Sequence, residues 1–307
     1  MAGTRFATLA IMGALALGAC GGRTAAWEET EAKPAASTSG GATPAADTIQ
    51  QMLVAGDAAW EQRDSEDKLR EALGHWEKVI EADPKNAAAW EKLARGYYLL
   101  ADGHVRFHSG DGAEADMLAT FEKGVTVAER GLVALFPAFG AKMRDGAKIE
   151  EAAAELDKSG VPLLYWRASS LGKWASAKGF ATLLSHKDEI KQTMQVCLDK
   201  DAAYFYAGPD RYFGVFYARA PSFAGGDLVK SKEHFEKSLA AHPNYFGTHT
   251  LMAADLAVKS QDRKMFDEHL DYVINGDPNS IPELGPENRI EQKKAALLKK
   301  QGSELFE

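Results

Sequence analysis

The sequence predicts an all-α fold, a compact solenoid of irregular helical hairpins, on three observations. From Thr48 onward the apolar residues recur with the 3.6-residue period of a helix and never alternate as a strand would. Segments end on Pro or Gly, and four amphipathic stretches close alike, at Ala82-Asp83-Pro84, Leu135-Phe136-Pro137, Ala241-His242-Pro243 and Gly276-Asp277-Pro278. The first and last of these closes stand in register with large and small apolar neighbours, as a repeat requires.

Ahead of the helical body, Arg5 and the apolar run from Phe6 to Leu17 have the layout of a secretory signal. The run is too short to cross a hydrocarbon core, which takes roughly 20 apolar residues. It ends in Leu17-Gly18-Ala19-Cys20, which resembles the lipobox of bacterial lipoproteins. The resemblance implies that residues 1–19 are removed and that Cys20 carries acyl chains, a membrane anchor strong enough by itself once multiply acylated. Gly21 in place of an Asp after the cysteine points to the outer membrane over the inner.

Residues 20–47 read as the acylated cysteine and a flexible linker of Ala, Gly, Ser, Thr and Pro, with Trp27 its only aromatic residue. Such a tether reaches roughly 30 Å, at about 5–6 Å times the square root of its length. The folded body is then 48–307.

Within the body, Trp90, Leu93, Ala94 and Tyr97 occupy the helix A positions of a tetratricopeptide repeat, and Ala72, Trp76, Val79 and Pro84 the helix B positions of the preceding unit. One hairpin cannot cover its own apolar face, so large residues of one unit fill the gap beside small residues of the next. Phe266, Leu270, Val273 and Pro278 repeat the helix B pattern. Between Pro84 and Pro137 the excess length fits a loop at Gly103 to Gly112, where Ser109-Gly110-Asp111-Gly112 is strong turn chemistry. An extra helix is expected around Gly146 to Lys158, an N-cap at Asp227 for a helix from Leu228 to Ala241, and a capping helix from Pro286 to Gln301.

Aromatic residues concentrate twice. One cluster holds Tyr165, Trp166 and Trp174 among small residues; the other runs from Tyr204 to Tyr217 with Arg211 and Arg219 interspersed. Pro209 starts a fresh helix in the second cluster, with Tyr212, Phe216 and Arg219 on one face and Phe213 and Tyr217 on another. A single two-layer packing does not easily bury both faces. Tyr165, Trp166, Trp174, Tyr204, Tyr206, Arg211, Tyr212, Phe216 and Arg219 are therefore the candidate lining of an apolar pocket with a few polar handles, or a partner-binding surface. Core packing between hairpins is the competing reading of the same residues.

Several function classes drop out. A net charge of −8 argues against a nucleic-acid partner. No second apolar run approaches membrane length. His234, His242, His249 and His269 fall on separate helices or turns without metal-ligand spacing, and no calcium loop or phosphate-cradling glycine loop occurs. Cys197 lies in the apolar pattern of Met194 to Leu198 and reads as a small buried hydrophobe. No serine is paired with a base, so neither an enzyme nor a cofactor is expected.

The run Arg211-Tyr212-Phe213-Gly214-Val215-Phe216-Tyr217-Ala218-Arg219-Ala220-Pro221, then Gly225-Gly226-Asp227 and the stretch from Lys232 to Leu239, resembles the TatT family. These are the tetratricopeptide-like T components associated with TRAP transporters. The tail, with Glu287-Asn288-Arg289-Ile290-Glu291-Gln292-Lys293-Lys294-Ala295 and Glu304-Leu305-Phe306, is similar to that family's tail. Ser238 departs from the small apolar residue expected there. The resemblance implies a periplasmic lipoprotein acting beside a periplasmic solute-binding protein in a secondary uptake system, as a homotrimer with an internal cavity and a hydrophobic or organic-acid solute. A tetratricopeptide lipoprotein that scaffolds envelope assembly, in outer-membrane protein insertion or pilus biogenesis, is the alternative. An enclosed aromatic cavity distinguishes the first from the open polar groove of the second.

Overall fold

Over residues 23–28 and 46–306, which a computed structural model describes, the chain forms helices and no strand. Helices α1 (Ala46–Trp60) and α2 (Glu66–Ala82) make the first hairpin, and α3 (Ala87–Gly103) with α4 (Ala113–Leu135) the next. The tetratricopeptide positions fall where the spacing puts them. Ala72, Trp76 and Val79 on α2, and Trp90, Leu93, Ala94 and Tyr97 on α3, are all buried. Helix α3 begins at Asn86, whose side chain accepts from the Ala89 amide at 3.0 Å.

Short α5 (Pro137–Arg144) and α6 (Ile149–Ala153) interrupt the array, and α7 (Val161–Lys178) and α8 (Phe180–Asp201) resume it, α7 packing on both α4 and α8. Next come α9 (Tyr204–Arg219) and α10 (Leu228–Ala241), the latter capped by Asp227, which accepts from the amides of Val229 and Lys230. In the same turn, a Cβ on Gly226 would sit 1.7 Å from the Ala220 carbonyl oxygen, so only glycine fits. Ser238 is buried on α10, and its hydroxyl meets that of Thr248 at 3.1 Å, which accounts for a polar residue at an apolar position.

Helix α11 (Phe246–Leu251) runs through a π-helical stretch, Met252–Ala257, into α12 (Val258–Ser260), and α13 (Arg263–Asn275) packs back on it. Phe266, Leu270 and Val273 point into this second core. Helix α14 (Gly285–Lys300), followed by α15 (Gly302–Leu305), returns to α3. Arg63 donates to Glu287 at 3.0 Å and Arg289 to Asp64 at 2.6 Å, so the last long helix is tied to the first hairpin and closes the array on itself.

One expectation needs correction. The segment Arg23–Glu28 does not behave as linker; it is packed on the body. Trp27 is only 4% exposed, edge-on to Phe139 at 5.9 Å and beneath the Arg167 guanidinium at 4.6 Å. Arg23 and the Ala26 amide both reach Glu129, at 2.6 and 2.8 Å, and Arg167 shares that carboxylate at 3.0 Å. Composition hid this because it averages over a stretch, whereas one indole buries 150–250 Å², on the order of 4 kcal/mol of transfer free energy. Cys20 and the signal segment lie outside the described residues. Cys197 is fully buried, and burial pushes its thiol pKa up.

Candidate functional site

The local backbone sets the site. At the start of α9, Phe205, Tyr206 and Ala207 take φ values of 45°, 58° and 53°, three successive left-handed residues that are not glycine. Each such residue costs roughly 1–2 kcal/mol. The turn is held from within the same helix: Arg211 donates from Nη1 to the Tyr206 carbonyl at 2.9 Å and from Nη2 to the Phe205 carbonyl at 3.1 Å. Pro209 then carries the chain into regular helix. Gly208 permits the approach of α7, since a Cβ there would lie 2.6 Å from the Tyr165 hydroxyl oxygen.

Between α3, α7, α8, α9, α11 and α14 lies a cavity of about 240 Å³, just below the usual 300–1,000 Å³ of small-molecule pockets. Tyr165, Trp166, Arg211, Tyr212, Phe216 and Arg219 line it. The face division along α9 is the one expected, because Phe213 and Tyr217 turn away onto the His234 ring, at 5.3 and 5.6 Å. Phe180 and Leu184 stand at the wall with 57% and 41% exposure.

Three candidates are placed elsewhere. Trp174 is buried against His186 at 5.8 Å, away from the cavity. Tyr204 backs the wall, donating to Glu91 and accepting from the Trp166 indole, both at 2.9 Å. Tyr206 stacks on Tyr245 at 5.1 Å and donates to Glu283 at 2.7 Å, outside the lining.

Sequence reasoning missed Tyr98, Phe205, Tyr245, Leu251 and, on α14, Glu287, Glu291 and Lys294, all of which border the cavity. Tyr98 adjoins the repeat residue Tyr97, and its neighbour's clear core role masked it. Glu287, Glu291 and Lys294 fall in the tail that resembles the TatT family, but nothing in their spacing ties them to a cavity. Asp102 is buried yet stays ionised: burial would raise its pKa, but Lys173, Lys294 and Arg106 hold it well below the usual carboxylate range. Nor did the sequence pair His249 with His269, whose Nδ1 atoms meet at 2.9 Å. A second hollow of about 670 Å³ lies beside Arg23–Glu28, between Ile149, Arg167 and Glu189, and none of the candidate residues borders it.

Helical hairpins packed around a partly open aromatic cavity, with no group of three metal-ligating side chains among the described residues, define a helical-repeat protein with a candidate binding space. The chain belongs to the TRAP transporter T-component family, whose family model matches residues 66–306. A comparison with curated proteins gives no match. The family makes this chain an accessory component on the periplasmic side of a TRAP transporter system, and it is a transporter family, not an enzyme family. Among the described residues no helix is long and apolar enough to cross a membrane.

Proposed function

We propose that this chain is a lipid-anchored periplasmic subunit of a TRAP-type uptake system, binding a periplasmic solute-binding protein and holding a hydrophobic or organic-acid solute in its cavity. Acylation at Cys20 supplies the anchor, in the outer membrane, and assembly as a homotrimer belongs to the same reading. The observation that carries it is the aromatic cavity within the family-matched region, bordered by α3 and α14, which pack on one another. The family match over residues 66–306 favours the transport reading over envelope assembly.

The test is uptake. Deleting the gene for this chain should lower accumulation of the solute carried by the TRAP system of the same genome, and Cys20→Ala should lower it as well while releasing the protein from the membrane. Unchanged uptake in the deletion strain contradicts the proposal.

A further inference from the structure

The cavity lining carries six cationic side chains and three carboxylates, in a chain whose net charge is −8. Five of the cations have a carboxylate at hand. Arg95 meets Glu287, Lys173 and Lys294 meet Asp102, Arg219 meets Asp255, and Lys187 meets Asp188. Arg211 is different. It is 4% exposed, and no carboxylate among the described residues lies within ion-pair distance of it.

The three hydrogen bonds of Arg211 go to neutral acceptors: the carbonyls of Phe205 and Tyr206, and the Tyr165 hydroxyl at 3.1 Å. A guanidinium has five N–H donors, so the donor on Nε and one on Nη1 are left over. Its planar face lies over the Tyr245 ring, 4.3 Å from the centroid. Tyr98 and Tyr245 also line the cavity, and their hydroxyls have no hydrogen-bond partner among the described residues. Burying a charge without a counter-charge is expensive, and an arriving anion that accepts these bonds recovers that cost.

We propose that the cavity takes an amphiphilic monocarboxylate, its headgroup on Arg211 with the Tyr98 and Tyr245 hydroxyls, and its apolar part along Leu183, Val215, Phe216 and Leu251. One uncompensated cation matches one negative charge. A dicarboxylate would bring a second charge into an apolar wall whose other cations are already paired. This inference rests on the reading of the cavity as a solute site.

Titration calorimetry of the purified chain with octanoate, methyl octanoate and octanedioate tests it. Octanoate should bind about 10- to 100-fold tighter than its methyl ester, the range of a hydrogen bond to a charged group, and tighter than octanedioate. Arg211→Met should remove the preference for acid over ester. Because Arg211 also holds the left-handed turn, Tyr98→Phe and Tyr245→Phe provide a second readout: each should weaken octanoate several-fold and leave the ester unchanged. Equal binding of acid and ester by the unsubstituted chain overturns the headgroup site and leaves the solute reading standing. Binding of neither overturns both.

Discussion

Asp102 and Lys294 lie 192 residues apart and are joined at 2.7 Å, Asp102 at the end of α3 and Lys294 in the middle of α14. Lys173 on α7 reaches the same carboxylate at 3.0 Å and Arg106 at 2.9 Å, so a single side chain ties three helices around the cavity. Replacing it should show what closure is worth. Asp102→Asn leaves Lys173 and Lys294 without their counter-charge and is expected to cost about 3–5 kcal/mol, as breaking a buried ion pair does. Urea denaturation measures it, and a loss below about 1 kcal/mol would mean that the cluster is solvated and does not hold the array closed.

The histidine pair predicts a pH dependence. His249 sits with Nε2 at the Pro243 carbonyl at 2.8 Å and Nδ1 at His269, stacked on Tyr272 at 4.1 Å. Desolvation lowers its pKa to about 4, and lowers that of His269 as well. The unfolded chain takes up these protons near pH 6.5 while the native state does not. Stability from the neutral pair is therefore complete above about pH 6.5 and is lost as pH falls toward 4. Thermal melts at pH 7 and pH 5 should differ more for the unsubstituted chain than for His249→Phe; identical slopes would refute the assignment.

Residues 23–28 give a local test. The Ala26 amide donates to Glu129 at 2.8 Å, beside the buried Trp27. Its hydrogen exchange should be slow in the unsubstituted chain and fast in Trp27→Ala, with a stability loss of about 2–4 kcal/mol, bounded above by the docking free energy of the segment. Fast exchange in both would show that the segment is not docked in solution.

Two glycines separate necessity from tolerance. Gly226→Ala forces the chain against the Ala220 carbonyl and should cost more than the roughly 1–3 kcal/mol typical of overpacking. Gly74, inside α2, has nothing within 4 Å of an added Cβ, and Gly74→Ala should stabilise by about 0.4–1 kcal/mol. Chemical denaturation of the two variants side by side checks both signs.

What could be read from the sequence was what depends on spacing along one helix. The 3.6 period and the proline closes located the hairpins, and the 212/216/219 face of α9 was right because helical geometry alone decides it. Features made by distant segments were not legible. Trp174 lies on the same helix as Tyr165, α7, but packs against His186 of α8 and stays out of the cavity. The left-handed turn at Phe205–Ala207 contradicts the preferences of its residues and exists because Arg211 holds it. Trp27 looked solitary until the fold brought Phe139 to its edge and Arg167 over its ring. The Asp102 cluster joins α3, α7 and α14, and no local pattern announces such a meeting.

The most direct measurement is sedimentation velocity of residues 21–307, which keep the docked segment and omit Cys20, alone and mixed with a candidate periplasmic solute-binding protein from the same genome. A trimer that co-sediments with that protein is the expected result. A monomer that sediments independently of it at micromolar concentrations would contradict a role as the accessory subunit of that uptake system.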